Sequence, residues 1–197
     1  MSELSSYQFQ PIYKQLGIDT KKLFAVMLDI DSSGIELPEI PEEYLYTSKD
    51  PKKSWIKGYV AKEGMHCTLL YGLLENVQID QVKEVLKGWT VPKLQITNIS
   101  KFDSKDGEDY YCVIGEVDIT PELTEGHDRL EFLPHINTFP GYKAHVTLAY
   151  IKKDNDILEE VINELSDKLT GIAGESLEIN EVTFDNNSGN KQSVWKA

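Results

Sequence analysis

The feature that most constrains this chain is an internal repeat. Residues 66–71 read His-Cys-Thr-Leu-Leu-Tyr, and residues 145–150 read His-Val-Thr-Leu-Ala-Tyr. Each run precedes a helical stretch, and each helix precedes a similar strand-like run, Leu94-Gln95-Ile96-Thr97-Asn98-Ile99-Ser100 or Leu177-Glu178-Ile179-Asn180-Glu181-Val182-Thr183. Both copies follow H-x-T-L-x-Y, helix, L-x-I-x-x-[IV]-[ST]. A duplicated unit predicts two similar lobes about an approximate two-fold axis, with the His-x-Thr strands close to that axis. A length of 197 residues suits a single domain, residues 1–197, made of two such lobes sharing a core.

The remaining pattern fills in around the repeat. Leu23–Ile30 reads as a buried strand. Residues 31–63 are irregular: Pro38, Pro41 and Pro51 exclude a continuous helix, and so long a loop marks a possible lid. His66–Tyr71 is a strand ended by Gly72, and Gln78–Lys87 a short helix closed by Gly88. Lys93–Phe102 and Tyr110–Ile119 are antiparallel strands joined by a turn over Ser104–Gly107. Thr120-Pro121 starts a helix that Gly126 interrupts and Pro134 ends. Ala144–Ile151 is a strand. Asn155–Leu169 is the strongest helix, with Ile157, Leu158, Val161, Ile162, Leu165 and Leu169 on one stripe and Gly171 as its stop. Leu177–Phe184 is a strand, and Ser193–Trp195 a last short one.

Charge narrows the partners. The net charge is −13, and Arg129 is the single arginine. A protein that wraps long nucleic acid needs a basic footprint to release counterions, so a phosphate-bearing partner here is small and held locally. Mean hydropathy of −0.37 is that of an ordinary globular chain. No window has the length and apolarity of a membrane span and no secretion signal is legible, so a cytoplasmic setting without membrane partners is expected. Two cysteines, Cys67 and Cys112, form no framework. The sequence leaves oligomeric state open.

Strand parity gives the repeat chemical meaning. With strict alternation His66, Thr68 and Leu70 share one face, and Cys67, Leu69 and Tyr71 the other. His145, Thr147 and Ala149 likewise oppose Val146, Leu148 and Tyr150. Cys67 then faces away from the polar side and is no nucleophile. Two imidazoles titrating near neutrality supply a base and an acid. Two threonine hydroxyls can donate to the non-bridging oxygens of a phosphate held between them. That chemistry needs no cofactor, and the sequence shows no metal-ligand spacing, so neither cofactor nor metal is expected. A strand His beside a Thr is also compatible with a satisfied core pair, which makes the doubling of the motif the informative part.

With these motifs, H-C-T-L-L-Y and H-V-T-L-A-Y, the chain resembles the two-histidine phosphoesterase superfamily from Leu23 to about Thr183. The resemblance implies a bilobal α+β fold with antiparallel sheets flanked by helices around a central cleft. It implies His66 and His145 as the acid/base pair and Thr68 and Thr147 as phosphate ligands. Many ligase-like members carry Arg five residues after the second His; Tyr150 stands there in this chain, a departure from that subfamily. Within the superfamily the chain looks most like phage anti-CBASS nucleases. These destroy cyclic oligonucleotide alarm signals, which implies metal-independent hydrolysis of a small cyclic nucleotide. The alternatives are a phosphodiesterase for RNA 2′,3′-cyclic ends or 2′,5′ linkages, a nucleotide-binding module that does not cut, and a protein-interaction domain using the acidic surface.

Four further residues are candidates for substrate contact. Trp55, Lys57 and Tyr59 lie just upstream of the first motif, where an aromatic can stack on a base and a lysine can meet a phosphate. Trp195 can close over a base from the C-terminal end. Trp89 is expected in the core. His127 and His135, with no Thr two residues on, are expected on the surface.

Overall fold

The computed structural model describes residues 23–104, 108–137, 141–170, 176–186 and 190–197. The turn at Lys105–Gly107, the stop at Gly171 and the polar first twenty residues lie outside them. Among the described residues there are seven strands, β1 (Phe24–Ile30), β2 (Met65–Leu73), β3 (Ile96–Asp103), β4 (Tyr110–Val117), β5 (His145–Lys152), β6 (Ile179–Asp185) and β7 (Lys191–Lys196), and four α-helices. These are α1 (Val60–Glu63), α2 (Ile79–Val85), α3 (Pro121–Leu130) and α4 (Leu158–Leu169). The strands form one continuous antiparallel sheet in the order β3-β4-β5-β2-β1-β6-β7. Among the described residues, no helix is long and apolar enough to cross a membrane.

The main core lies on one face of this sheet; a smaller cluster, Ile56 with Tyr110 and Tyr150, is separate from it. Leu158, Val161, Leu165 and Leu169 of α4 form the buried stripe that the sequence announces. They join Leu123 and Leu130 of α3 and Val82 of α2 over Val26, Leu28, Cys67, Leu69, Val146, Leu148 and Val182 of the strands. Each fully buried Leu contributes about 1.5–3 kcal/mol. α4 starts at Leu158, later than its apolar pattern, because the Asn155 side chain accepts the Ile157 N–H at 3.2 Å and turns the chain into the helix.

The strand order is the same from either end for its first six members. Exchanging β2 with β5, β1 with β4 and β3 with β6 reproduces β3-β4-β5-β2-β1-β6; only β7 has no counterpart. Within the sheet the halves meet at a single register pair, Cys67 with Val146. A second bridge pairs Leu94 with Leu177, their backbones exchanging bonds of 3.1 and 2.6 Å. Both bridges join equivalent positions of the repeat.

Beyond Cys67, β2 diverges from β5, and other groups take its backbone partners. The Tyr142 hydroxyl donates to the Thr68 carbonyl at 3.2 Å, and His127 Nδ1 lies 2.7 Å from the Leu69 carbonyl. The His127 ring stacks on Tyr142 with centroids 4.1 Å apart. Ile136 N–H donates to the Gly72 carbonyl, and Leu73 pairs with His135. Buried carbonyls left without donors cost free energy, so these contacts let β2 continue as a partly unpaired strand. His127 and His135 are therefore structural and half-buried rather than superficial. Gly72 does not end the strand: its φ is +118°, and a Cβ there would stand 2.3 Å from the Ile136 carbonyl oxygen.

Gly126 does not interrupt α3 either. The helix runs through it, from the Thr120 cap, whose hydroxyl accepts the Leu123 N–H, to Leu130. The glycine is there for Trp89, whose indole N–H donates to the Glu122 carbonyl at 2.7 Å. A Cβ at 126 would lie 2.5 Å from the Trp89 ring.

Residues 31–63 are laid against the sheet rather than hung over it. Ile40, Ile56, Tyr59 and Ala61 are buried, and Tyr46 N–H and Gly58 carbonyl bond the backbone of Tyr150. Gly126→Ala should destabilise the fold by about 1–3 kcal/mol, since a methyl cannot enter without displacing a packed ring. Urea denaturation, followed by Trp fluorescence and far-UV circular dichroism, measures the loss.

Candidate active site

The narrow joint between β2 and β5 sets the geometry. The Cys67–Val146 pair joins the two antiparallel runs at their middle letters, so the histidine of each run lies on the side of the other run's threonine. Cys67 and Val146 point into the helix-side core and are fully buried. Burial pushes the Cys67 thiol up to about 12, which leaves it unreactive near neutrality. The two histidines and two threonines alternate with these core residues, share the opposite face and are half-buried.

Following the register outward extends the four residues into two rows across five strands. One row reads Asp29, His66, Thr147, Ile114, Ser100. The other reads Glu116, His145, Thr68, Met27, Thr183. Under the exchange of halves each row maps onto the other: acid, imidazole, hydroxyl, apolar floor, hydroxyl. The end hydroxyls bond across the rows. Thr183 donates to Asp29 Oδ2 at 3.0 Å, and Ser100 to Glu116 Oε1.

The leucine of each H-x-T-L run departs from strict alternation. The pairing slips between Val26 and Met27 on β1, leaving Leu69 extra on β2. It slips again between Val113 and Ile114 on β4, leaving Leu148 extra on β5. These are β-bulges. Leu69 with Leu70, and Leu148 with Ala149, accordingly face the helix core in succession. Leu70 and Ala149 thus do not share the histidine face as parity alone predicts, and alternation resumes with Tyr71 and Tyr150 on it. Cys112 lies within hydrogen-bond reach of both Thr147 and Tyr150 side chains, and Tyr150 packs edge-on to Tyr110 at 5.3 Å.

The histidines differ in surroundings. His145 Nδ1 lies 2.9 Å from the Lys143 carbonyl, which accepts an Nδ1 proton and leaves Nε2 as the other ring nitrogen for chemistry. The Phe102 ring meets its edge at 5.2 Å and is itself exposed. The His66 imidazole is held below its ordinary 6.5, first by burial, then by the Lys191 ammonium; Asp29 opposes this, His145 adds to it, and Asp185 opposes it. Lys191 of β7 pairs with Asp29 Oδ1 at 3.1 Å.

The secondary candidates fare differently. Tyr59 is buried and donates its hydroxyl to the Pro38 carbonyl at 2.9 Å, so it is a core residue and not a substrate contact. Trp55 is exposed, and Lys57 is ion-paired with Glu63. Their segment pairs with Tyr150, five positions beyond His145, about 17 Å along the strand. Trp195 borders a groove of about 210 Å³ with Trp89 and Leu86, on the helix side with Val182 and Val194, so the structure does not bring it to the histidines. Asp29, Glu116, Lys191 and Phe102 are neighbours that motif reading passes over. Asp29 and Glu116 leave a trace nonetheless: each is the one acid in an otherwise uncharged part of its strand, Phe24–Ile30 or Tyr110–Val117.

The fold and site together define an α+β domain with a two-histidine, two-threonine centre at the joint of its sheet. The chain belongs to the family of the anti-CBASS protein Acb1, whose sequence profile matches residues 49–178, about two thirds of its length. No curated protein sequence matches it. Two solved structures of Kluyveromyces marxianus Usb1, one with uridine monophosphate, superpose with TM-scores of 0.48 at 10% and 8% identity. Each covers 89% of this chain, and the matches take in 99% and 98% of theirs.

The depressed His66 has a sign that stability measurements can read. The unfolded chain binds this proton more tightly than the folded one, so His66 costs no stability well above pH 6.5 and a growing amount as pH falls towards its folded value. Urea midpoints of the native chain should therefore drop more steeply below about pH 6.5 than those of His66→Asn.

Proposed function

We propose that this protein is a metal-independent phosphodiesterase that hydrolyses small cyclic oligonucleotide signals, and so acts as a phage counter-defence enzyme in the host cytoplasm. The observation that carries the reading is the single Cys67–Val146 pair, which joins the two antiparallel His-x-Thr runs at their centres and so supports a crossed placement of each histidine with the other run's threonine. A phosphate centred on the joint has an imidazole and a hydroxyl on either hand. One imidazole takes the proton from a ribose hydroxyl or a water as its oxygen bonds phosphorus. The other protonates the ribose oxygen as its bond to phosphorus breaks. Thr68 and Thr147 donate to the non-bridging oxygens, where charge builds. Membership of the anti-CBASS family supports a cyclic oligonucleotide as substrate.

The same reading treats the chain as one domain of two similar halves; the exchange symmetry of the strand order and the two bridges between equivalent residues support it. Phe102 beside His145 and Tyr71 on the histidine face are exposed aromatics able to stack on bases.

Incubating 3′,3′-cyclic GMP–AMP with the protein in EDTA should give linear products on chromatography. His66→Ala and His145→Ala should each slow cleavage by about 10²–10⁴-fold. A substrate lacking the ribose 2′-hydroxyl should resist cleavage if that hydroxyl attacks, and should be cut normally if water does. Cyclic nucleotide recovered intact, with RNA 2′,3′-cyclic ends opened instead, would replace this reading by an RNA-end phosphodiesterase. Ligand bound and recovered unchanged would replace it by a binding module.

A further inference from the structure

Resting on the phosphodiesterase reading, we infer that Asp29 and Glu116 are positioning residues for the two imidazoles, and that Lys191, by pairing with Asp29 alone, makes them unequal: His66 the base and His145 the acid.

The geometry is doubled. Asp29 stands opposite His66 across β1 and β2, and Glu116 opposite His145 across β4 and β5. Directly opposed residues on one face hold their Cβ atoms about 4.5–5.5 Å apart, so each carboxylate acts on the imidazole across from it through space, favouring its protonated form. Each acid is itself anchored from the next strand outward, Asp29 by Thr183 and Glu116 by Ser100. Those hydroxyls are the closing residues of the two repeat units. Two acids, two anchors and two imidazoles in matching registers indicate a shared task.

The halves part company at β7, which only one of them has. Lys191 reaches from it to Asp29 Oδ1. Around His66 therefore stand Asp29 from β1, Asp185 from β6, Lys191 from β7 and His145 from β5, with Glu181 opposite Asp29. Around His145 stand Glu116, the Lys143 carbonyl, the Phe102 edge and His66. Among the described residues no cation pairs with Glu116. Asp29, opposite His66, is paired with a cation, and Glu116, opposite His145, is not. A neutral imidazole accepts a proton and a charged one delivers it, so the asymmetry assigns the roles.

Two readouts test this. NMR titration of the His66 ring in the substrate-free chain should show its midpoint falling by about one unit in Asp29→Asn and rising in Lys191→Met. If neither variant moves the ring, or both move it the same way, the pairing is overturned. Thr183→Val, which frees the carboxylate without removing it, should move the ring less than Asp29→Asn. The second readout is the pH dependence of kcat/KM on the cyclic dinucleotide. Lys191→Met should shift the acidic limb to higher pH and Asp29→Asn to lower pH. Glu116→Gln should shift the alkaline limb to lower pH and lower kcat about tenfold with little change in KM. If Glu116→Gln moves the acidic limb instead, the roles are reversed. If the native chain cleaves nothing, the phosphodiesterase reading and the role assignment fall together, while the ring titrations still decide whether Asp29 and Lys191 govern His66.

Discussion

Everything at the candidate site depends on one backbone pair. Cys67 and Val146 are the only register contact between β2 and β5, and both side chains are sealed in the core. A longer ladder would fix the strands side by side over their length and leave no departure for β2. A shorter one would not hold the register. One pair is enough to cross the two His-x-Thr runs, because antiparallel register then dictates what lies opposite each neighbour. The cost of parting the strands so soon is a row of unpaired carbonyls on β2. Tyr142, His127 and Ile136 satisfy it with side-chain and backbone donors.

Much of this was legible beforehand. The apolar stripe of α4 needs only 3.6-residue periodicity, and the helix packs by the side it predicts. The repeat was visible as text in the two H-x-T-L-x-Y runs, whose middle letters meet at Cys67 and Val146. The illegible parts are those where a residue answers to a distant neighbour. Gly126 reads as a helix breaker until Trp89, 37 positions away in the chain, is laid across it. Tyr59 reads as a surface aromatic until Pro38 takes its hydroxyl. Asp29 and Glu116 lie in strands outside the repeat, and nothing local ties them to the histidines.

The acidity of the chain and the phosphate-bearing substrate proposed for it are reconciled by distance. At physiological salt, exposed charges more than about 8 Å apart are largely screened, so the overall −13 does little at the joint itself. On the proposed reading, what a phosphate would meet there is local: hydroxyls, imidazoles, Asp29 matched by Lys191, and the acids Asp185 and Glu116 near the two histidines.

The bulges at Leu69 and Leu148 bear on how the motif is read as text. In a strand, the position of a letter decides which side of the sheet it serves, and an inserted residue inverts every assignment after it. H-x-T-L-x-Y contains such an inversion in its middle. Its first three letters keep one phase and its last two keep the other, with the leucine as the point of reversal. Lengthening or shortening the run by one residue therefore exchanges floor for ceiling: Tyr71 or Tyr150 sinks into the helices, and Leu70 or Ala149 surfaces beside the imidazoles. The spacing between the histidine and the tyrosine is a statement about which way each letter faces: its variable letters, Cys67 and Leu70 or Val146 and Ala149, must be apolar enough for the core, and their number cannot change.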